Sequence, residues 1–287
     1  MSDTVTCVRN LLRRASQRLR SESAMLDAEL LLAHVLERSR TWLWTWPDHQ
    51  PDATAVERFW ALVERRVHGE PVAYLTGTRE FWSLTLQVNA STLIPRADTE
   101  ILVEQALALT LPEQAQVLDL GTGTGAIALA LAHERPTWQI CGVDRQIDAV
   151  TLARANAQDL GLARVRLLQS DWFSALADTR WHLIVSNPPY IDPLDSHVEQ
   201  GDVRYEPRSA LVAPEHGLAD LRQIIEQAPT YLQAGGWLLL EHGYDQAEAV
   251  ARMLAARGFE ASIAASDLGG HVRVSGGCWN GTGRPAE

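Results

Sequence analysis

The chain has 287 residues, of which 46% are hydrophobic and 21% charged, with a formal net charge of −11. This is the balance of a globular protein of one large or two moderate domains, without the roughly 20-residue apolar run of a membrane span. The N-terminus lacks the apolar core of a signal peptide, and three scattered cysteines without a CxxC spacing predict no zinc site. We therefore expect a cytoplasmic protein that uses neither a metal nor a membrane.

The acidic excess lies in the later part of the chain. Residues 1–75 hold ten arginines and ten acidic residues, so 15 arginines and 26 acidic residues remain for 76–287. A protein that grips a nucleic-acid backbone usually carries a basic stripe, so we expect no direct nucleic-acid binding. The chain contains no lysine. This excludes ordinary pyridoxal-phosphate chemistry and a P-loop lysine.

Residues 1–75 predict a small helical bundle, because apolar residues recur at helical spacing over 25–36 and again over 56–67. Asp52 or Thr54 provides a start signal for the second of these helices.

Two surface features stand out in this bundle. Five arginines and no acid occur between residues 9 and 20, which predicts a basic helix. A solvated face is the favoured interpretation and a docking surface for an acidic partner the second. Trp42, Trp44 and Trp46 are expected to pack between helices, with an exposed recognition patch as the alternative.

From residue 80 to 94 apolar and polar residues alternate, which predicts a β-hairpin. Pro95 follows it, and Asp98 or Thr99 is expected to cap a helix through Leu109.

After residue 115 strand-like and helix-like segments alternate, which predicts an α/β domain with a doubly wound, mostly parallel sheet. The last two short strands, within 259–276, have no helix between them, so one is expected to run antiparallel. The other strand-like segments are 116–120, 139–144, 164–171, 182–186 and 237–243, and the helical segments include 125–133, 147–160 and 217–232.

The stretch VLDLGTGTGAIALALA, residues 117–132, predicts a strand, a glycine-rich turn and a helix. With Asp144 at the end of the next strand, it fits a dinucleotide fingerprint whose acid binds both ribose hydroxyls. The motif demands an adenosine-like ligand but does not separate a nicotinamide cofactor from S-adenosylmethionine. Asp119 favours the latter, because a carboxylate there repels a pyrophosphate and suits ammonium and sulfonium groups. Asp171 and Trp172 offer an acid and a ring that could bracket adenine.

The sequence SNPPY, residues 186–190, follows an apolar strand. Its prolines stiffen the loop and leave the carbonyls around Asn187 without their usual donors. Carboxyl ends of parallel strands line the ligand crevice, so this loop and the glycine turn are expected to meet. The Asn187 oxygen and the Pro188 carbonyl could bind both N–H bonds of a planar NH2 group, with Tyr190 stacked against it. Adenine N6, cytosine N4 and a glutamine amide all qualify.

Motifs along almost the whole chain carry a family resemblance. They are EFWSL at 80–84, LIPRADTE at 93–100, LDLGTGTGAIALALA at 118–132, SDWFSAL at 170–176, IVSNPPYID at 184–192, GDVRYEP at 201–207 and LLLEHG at 238–243. Together they resemble the release-factor glutamine methyltransferases of the PrmC/HemK group. NPPY alone is shared with adenine-specific DNA methyltransferases, whereas NPPYI with GDVRYEP and EFWSL is much more specific. One departure is Ala97, where the family motif usually has proline.

The resemblance implies a seven-stranded Rossmann-like class I methyltransferase sheet, preceded by the helical bundle. It also implies methyl transfer from S-adenosylmethionine, which leaves S-adenosylhomocysteine, to glutamine N5 of the Gly-Gly-Gln motif in bacterial peptide chain release factors. The regions are then a substrate-docking domain at 1–75, a hairpin linker at 76–97 and a methyltransferase domain at 98–287. By position, the glutamine would be held by Asn187, Pro188, Pro189 and Tyr190, and the cofactor by Gly121, Thr122, Gly123, Thr124, Gly125, Asp144, Trp172 and Asn187.

Three alternative functions differ in what they leave unexplained. An N6-adenine or other nucleic-acid amino-methyltransferase would use the same loop, but the net charge of −11 and the lack of a recognisable nucleic-acid-binding module disfavour it. A nicotinamide-dependent dehydrogenase would leave the NPPY loop and Asp119 unexplained. A non-catalytic adaptor with a vestigial fold is disfavoured by the intact loop and glycine turn.

Overall fold

The structure is a computed structural model that describes residues 6–177 and 179–281, without the side chain of residue 261. The described chain forms two compact units. One contains residues 6–78 together with 201–205, and the other contains the remaining residues from 79 onward. Within the described part, no helix combines the length and the apolar character needed to cross a membrane.

The first unit is helical, as predicted. Its core is built from apolar side chains that recur at helical spacing, including Leu11, Leu32, Phe59 and Val63. Asp52 caps the fourth helix by accepting a hydrogen bond from the Ala55 N–H at 2.8 Å. The helices are α1 (Val8–Arg18), α2 (Ala24–Leu36), α3 (Arg40–Thr45), α4 (Ala53–Val67) and α5 (Val72–Thr76).

The three tryptophans of α3 and its C-cap do not share one environment. Trp42 packs against the helical core, but Trp44 and Trp46 are 63% and 57% exposed. The prediction that all three pack between helices is therefore wrong for two of them. The reason is that α3 is short and places Leu43 in the core, so Trp44 and Trp46 remain exposed to solvent.

The arginines of α1 lie opposite its buried stripe, which comprises Val8, Leu11, Leu12 and Ala15. Arg18 forms an ion pair with Glu64, and the Arg14 and Arg18 guanidinium groups lie 5.2 and 5.6 Å from the Trp60 ring centre. Much of the basic face is thus engaged in local contacts.

Residues 201–205 belong to the helical unit although they lie far along the chain. Asp202 pairs with Arg66, which also binds the buried Asp27 at 2.8 Å. The side chains of Arg204 and Tyr205 both donate to the carbonyl of residue 68, at 2.6 and 2.8 Å. We call 201–205 the returning segment.

A short hairpin, β1 (Thr78–Phe81) and β2 (Leu84–Gln87), follows the helices. Its turn is formed by Trp82 and Ser83, whose φ angles of 51° and 60° are left-handed. The predicted hairpin over 80–94 is therefore misplaced. Asn89 does make a turn, accepting from the Ser91 N–H at 2.9 Å, but no strand follows it among the described residues up to 94.

The second unit is an α/β domain whose sheet has the strand order β5-β4-β3-β6-β7-β9-β8. The expected seven-stranded, mostly parallel sheet is confirmed, and β9 is the antiparallel strand. Its strands are β3 (Gln116–Leu120), β4 (Gln139–Asp144), β5 (Arg166–Gln169), β6 (Trp181–Ser186), β7 (Leu232–Glu241), β8 (Glu260–Ser266) and β9 (Val272–Trp279). Its helices are α6 (Glu100–Ala108), α7 (Ala126–Glu134), α8 (Ile147–Asp159), the single turn α9 (Pro214–Gly217), α10 (Ala219–Tyr231) and α11 (Ala247–Arg257).

The central strands are apolar on both faces because helices cover both sides of the sheet. Val117 and Val185 enter one core cluster, and their neighbours Leu118 and Ile184 enter the other. The strand order reverses between β3 and β6, and such a point opens a crevice at the carboxyl edge of the sheet. The glycine turn follows β3 and the NPPY loop follows β6, so the crevice lies between them.

Candidate active site

A cavity of about 260 Å³ occupies this crevice. The predicted residues that line it are Gly121, Thr122, Gly123, Thr124, Asp144, Trp172, Asn187 and Pro189. Gly125, Pro188 and Tyr190 are not among the described residues that line it. The fold thus brings most of the predicted cofactor residues and the central asparagine to one cavity.

Backbone hydrogen bonds close the glycine turn and fix it to β4. The Gly125 N–H donates to the Thr122 carbonyl at 2.8 Å, and the Thr122 N–H donates to the Val143 carbonyl, also at 2.8 Å. Gly121 has a left-handed φ of 71°, and a β-carbon there would lie 3.5 Å from the Trp172 ring. Glycine at this position therefore leaves the backbone bare beside an aromatic ring, which suits a ligand that approaches the backbone closely.

Asp144 connects the end of β4 to the glycine turn. Its Oδ2 accepts from the Gly123 N–H at 3.0 Å and its Oδ1 from the Gln146 N–H at 2.8 Å. Burial raises the pKa of this carboxyl, and the backbone donors oppose that shift. Each oxygen of the ionised carboxylate keeps a further acceptor site, so two ligand hydroxyls could be bound at once.

Asp119 lies behind the turn instead of lining the cavity. It is fully buried, and its Oδ2 accepts from the Thr122 hydroxyl at 2.6 Å and the Ala128 N–H at 3.2 Å. Burial raises the pKa of this carboxyl to about 7. The expectation that Asp119 meets ammonium or sulfonium groups directly is not met, since it does not line the cavity. It holds the turn and the start of α7 together.

Trp172 lines the cavity together with Asp220, an acid that the sequence analysis did not single out. Its backbone is left-handed, with a φ of 47°, and the Ser170 hydroxyl donates to its carbonyl at 2.8 Å. Asp220 lies near it in the first turn of α10; burial raises the pKa of that carboxyl, and the Trp172 side chain opposes the shift. Asp220 and Asp171 both line the cavity beside the ring.

Asn187 is oriented by a threonine. Its Nδ2 donates to the Thr99 Oγ1 at 3.1 Å, and Thr99 is only 4% exposed. Thr99 was predicted as a helix cap, but its side chain makes no capping bond to α6. Thr99 occupies the N-cap position of α6 as predicted, but its hydroxyl bonds the NPPY loop instead of the helix.

The Tyr190 hydroxyl is engaged outside the cavity lining. It donates to the Glu241 Oε1 at 3.2 Å and accepts from the Arg273 Nη2 at 3.2 Å. Burial raises the pKa of this phenol, so it is neutral. Glu241 is fully buried at the end of β7. The predicted stacking of Tyr190 on a planar group stays a prediction.

Comparison with known proteins places the chain in a family. Residues 10–77 match the model of the PrmC N-terminal domain, and residues 97–202 match the methyltransferase small domain. The release factor glutamine methyltransferase of Pseudomonas aeruginosa is 55% identical over 259 residues, which cover 90% of this chain and 94% of that protein. The Escherichia coli K12 protein of the same name is 54% identical over 261 residues, covering 91% and 94%. The chain belongs to the release factor glutamine methyltransferase family.

This membership confirms the resemblance found in the motifs. Among solved structures, a methyltransferase from Pyrococcus furiosus is similar with a TM-score of 0.53 at 15% identity, covering 75% of this chain and 96% of that one. At such low identity the likeness shows the fold alone, and it confirms a methyltransferase fold.

Two motifs of the release factor glutamine methyltransferase pattern meet as an ion pair. Arg96, from LIPRADTE, binds the buried Glu206, from GDVRYEP, at 2.5 Å. Glu206 also accepts from the Ile94 N–H at 3.3 Å. Sequence reasoning did not find this pair, nor Thr99, Glu241 or Asp220. The motifs contain charged residues, but a sequence pattern does not show which of these residues pair with each other in the folded protein.

Proposed function

We propose that this chain transfers the methyl group of S-adenosylmethionine to the side-chain amide nitrogen, N5, of the glutamine in the Gly-Gly-Gln motif of bacterial release factors. The observation that carries the proposal is the shared cavity of Asn187, the glycine turn and Asp144, in a chain of this family. A planar amide and a methyl donor can meet there. We also propose a cytoplasmic location, which fits three free cysteines.

The residues present fit the cofactor. The bare backbone at Gly121 would lie against it, Asp144 would accept the ribose hydroxyls, and the Trp172 ring would face the adenine. When bound, S-adenosylmethionine supplies an electrophilic methyl group on a sulfonium. Thr122, Gly123 and Thr124, which also line the cavity, would surround its amino-acid end.

The NPPY loop would bind and orient the glutamine amide. An amide nitrogen is a poor nucleophile because its lone pair is delocalised into the carbonyl. Accepting both N–H bonds, at the Asn187 Oδ1 and the Pro188 carbonyl, would hold the amide in one plane and stabilise positive charge that develops on nitrogen. Pro189 would keep the loop rigid, and Tyr190 would pack beside the amide.

No strong base is required at this site. Methylation makes the amide nitrogen acidic, so its proton can leave to water after the transfer. The site's contribution is then binding, orientation and the exclusion of competing water.

The helical unit would contact the release factor. Its exposed Trp44 and Trp46 are the kind of side chains that interfaces bury, since aromatic residues dominate binding hot spots. The exposed arginines of α1 would attract acidic residues of the release factor.

The proposal is tested by following radiolabelled methyl from S-adenosylmethionine to several acceptors in parallel. These are an intact release factor, its Gln→Ala variant in the Gly-Gly-Gln motif, unmethylated DNA and ribosomal RNA. Label on the wild-type factor and not on the variant is expected. Label on nucleic acid alone would replace the protein substrate with the N6-adenine type of acceptor.

A further inference from the structure

Thr99 and Glu241 are buried polar residues in a row that ends at Asn187. The Asn187 amide bonds the Thr99 hydroxyl at 3.1 Å, and the Thr99 hydroxyl interacts with the Glu241 carboxyl. Thr99 and Glu241 are 4% and 0% exposed, so water does not compete for these bonds. Glu241 Oε2 has no well-aligned partner among the described residues, and the Thr99 proton is free to turn toward it.

The chemistry of these groups fixes which of them donates and which accepts a hydrogen bond. An ionised carboxylate can only accept, and a threonine hydroxyl has a single proton to donate. When that proton goes to Glu241, the Thr99 oxygen is left to accept, and only the Nδ2 of Asn187 can donate to it. The two ends of the Asn187 amide are thereby distinguished.

We propose that Thr99 and Glu241 are positioning residues that hold the Asn187 amide with its oxygen toward the substrate nitrogen. The inference rests on the proposed function, because it assigns Oδ1 of Asn187 as the acceptor for a substrate N–H. A flipped amide would present an NH2 group to the substrate NH2 group, and two donors cannot bond each other.

The ionised state of Glu241 depends on its neighbours. Burial, helped by the Asp98 charge, raises the pKa of Glu241 to about 7, and Thr99, Arg273 and Tyr190 oppose that shift by favouring the carboxylate. A protonated Glu241 could donate to Thr99 and release the threonine proton toward Asn187, which favours the flipped amide. Methyl transfer by the wild type should therefore fall as the pH drops below about 7.

The test compares Thr99→Val with Thr99→Ser in the full-length enzyme acting on intact release factor. Valine keeps the shape and removes the hydroxyl, so kcat should fall about 10- to 100-fold, on the scale of a misplaced catalytic contact. Affinity for S-adenosylmethionine should stay within about twofold, since other residues bind it. Thr99→Ser should restore most of kcat. Thr151→Val removes a hydroxyl that bonds its own helix and is the matched control.

A second readout does not need catalysis. In 15N-labelled protein, one side-chain proton of Asn187, assigned with the help of Asn187→Ala, should be shifted downfield by its bond to Thr99. The shift should persist in Thr99→Ser and vanish in Thr99→Val. Glu241→Gln should remove the acidic limb of the pH–rate profile.

The outcomes separate this inference from the proposed function. Wild-type kcat in Thr99→Val, or an unchanged Asn187 signal, would overturn the positioning role even if the wild type methylates the factor. Equal losses of kcat and cofactor affinity would also overturn it, because they would indicate a general structural role. A wild type that labels no glutamine would refute the proposed function, and the Asn187 signal would still decide the orientation.

Discussion

Asp119 and Asp144 bind the same glycine turn from neighbouring strands. Asp119 accepts from Thr122 and from the start of α7, and Asp144 accepts from Gly123. Only Asp144 lines the cavity. Asp144 is the last residue of β4, whereas Asp119 is followed by Leu120 in β3. Asp119 is buried behind the turn and does not line the cavity, which its place near the end of a strand does not predict.

Asp119 should make the enzyme less stable as the pH rises. Its folded pKa of about 7 exceeds that of an exposed aspartate, so the folded state keeps a proton that the unfolded state has lost. Stability from this group is present below about pH 4 and is lost as the pH rises to about 7, by at most about 1.4 kcal/mol per pH unit. Asp119→Asn should flatten the wild-type decline. Urea unfolding between pH 4.5 and 8 measures this decline. If the stability of the wild type and of Asp119→Asn changed in parallel with pH, the prediction would be wrong.

Asn187→Ala should leave cofactor binding largely intact and lower methyl transfer by about 100-fold or more, because a positioned hydrogen-bond partner of the reacting group is lost. Single-turnover rates with intact release factor measure the loss, and equilibrium binding of S-adenosylhomocysteine is the control. Turnover near the wild-type rate would remove Asn187 from the proposed role.

Among single residues of the site, those that belong to a recognisable motif or a tight backbone turn could be predicted from the sequence. Gly121, Gly123 and Asp144 line the cavity, and they could be singled out because a glycine-rich turn and an acid at the end of the next strand leave a recognisable spacing in the chain. Thr99 lies at the predicted N-cap position, but its hydroxyl bonds Asn187 instead of the helix. A threonine at a helix start can do either, and only tertiary structure decides which. Trp44 was misassigned because an aromatic residue in a short helix has no periodicity to indicate its face.

At the scale of elements, β4 lies directly beneath the glycine turn. A β-carbon on Gly142 would lie 2.7 Å from the Thr122 Oγ1 and 2.9 Å from the Leu167 Cδ2. Both distances are shorter than van der Waals contact allows. Glycine here lets the turn sit close to the strand, so the turn's shape depends on a residue outside the motif.

Gly142→Ala should therefore displace Thr122 and weaken cofactor binding, with a stability loss of about 1–3 kcal/mol for overpacking. Calorimetric titration with S-adenosylhomocysteine and urea unfolding measure the two effects.

Gly161→Ala is the matched control for this substitution. Its φ is +69° and its β-carbon would meet no described atom within 4 Å, so it should cost about 1 kcal/mol of backbone strain without affecting cofactor affinity. Equal cofactor affinity in both variants would show that the turn tolerates the extra carbon.

Elements with strong patterns were predictable and the irregular ones were not. β3, β4 and β6 are short, mostly apolar runs, and the predicted bounds agree with the structure to within a residue. The hairpin was misplaced because Trp82 and Ser83 adopt left-handed backbone angles that neither residue favours. Tertiary packing imposes that turn, and local propensity does not encode it.

For the whole molecule, deletion of residues 1–75 should abolish methyl transfer to intact release factor, since the helical unit is proposed to dock the substrate. Labelling of the intact factor measures the loss, provided that the shortened protein still binds S-adenosylhomocysteine. Undiminished labelling would leave the helical unit with a stabilising role alone.

A control is needed because the deletion also removes Arg66, the partner of Asp202. Asp202→Ala breaks this ion pair and keeps every helix. If docking is the cause, Asp202→Ala should retain far more activity than the deletion. A loss equal to that of the deletion would attribute the effect to the returning segment.

The returning segment also limits how such proteins can be recombined. A chimera that exchanges the helical unit at residue 78 would combine one parent's Arg66 with the other parent's Asp202, Arg204 and Tyr205. The helical unit is thus encoded by two separate stretches of the gene, one for the residues up to 78 and one of five codons for 201–205. Grafts between distant relatives should express well only when both pieces are taken from the same parent.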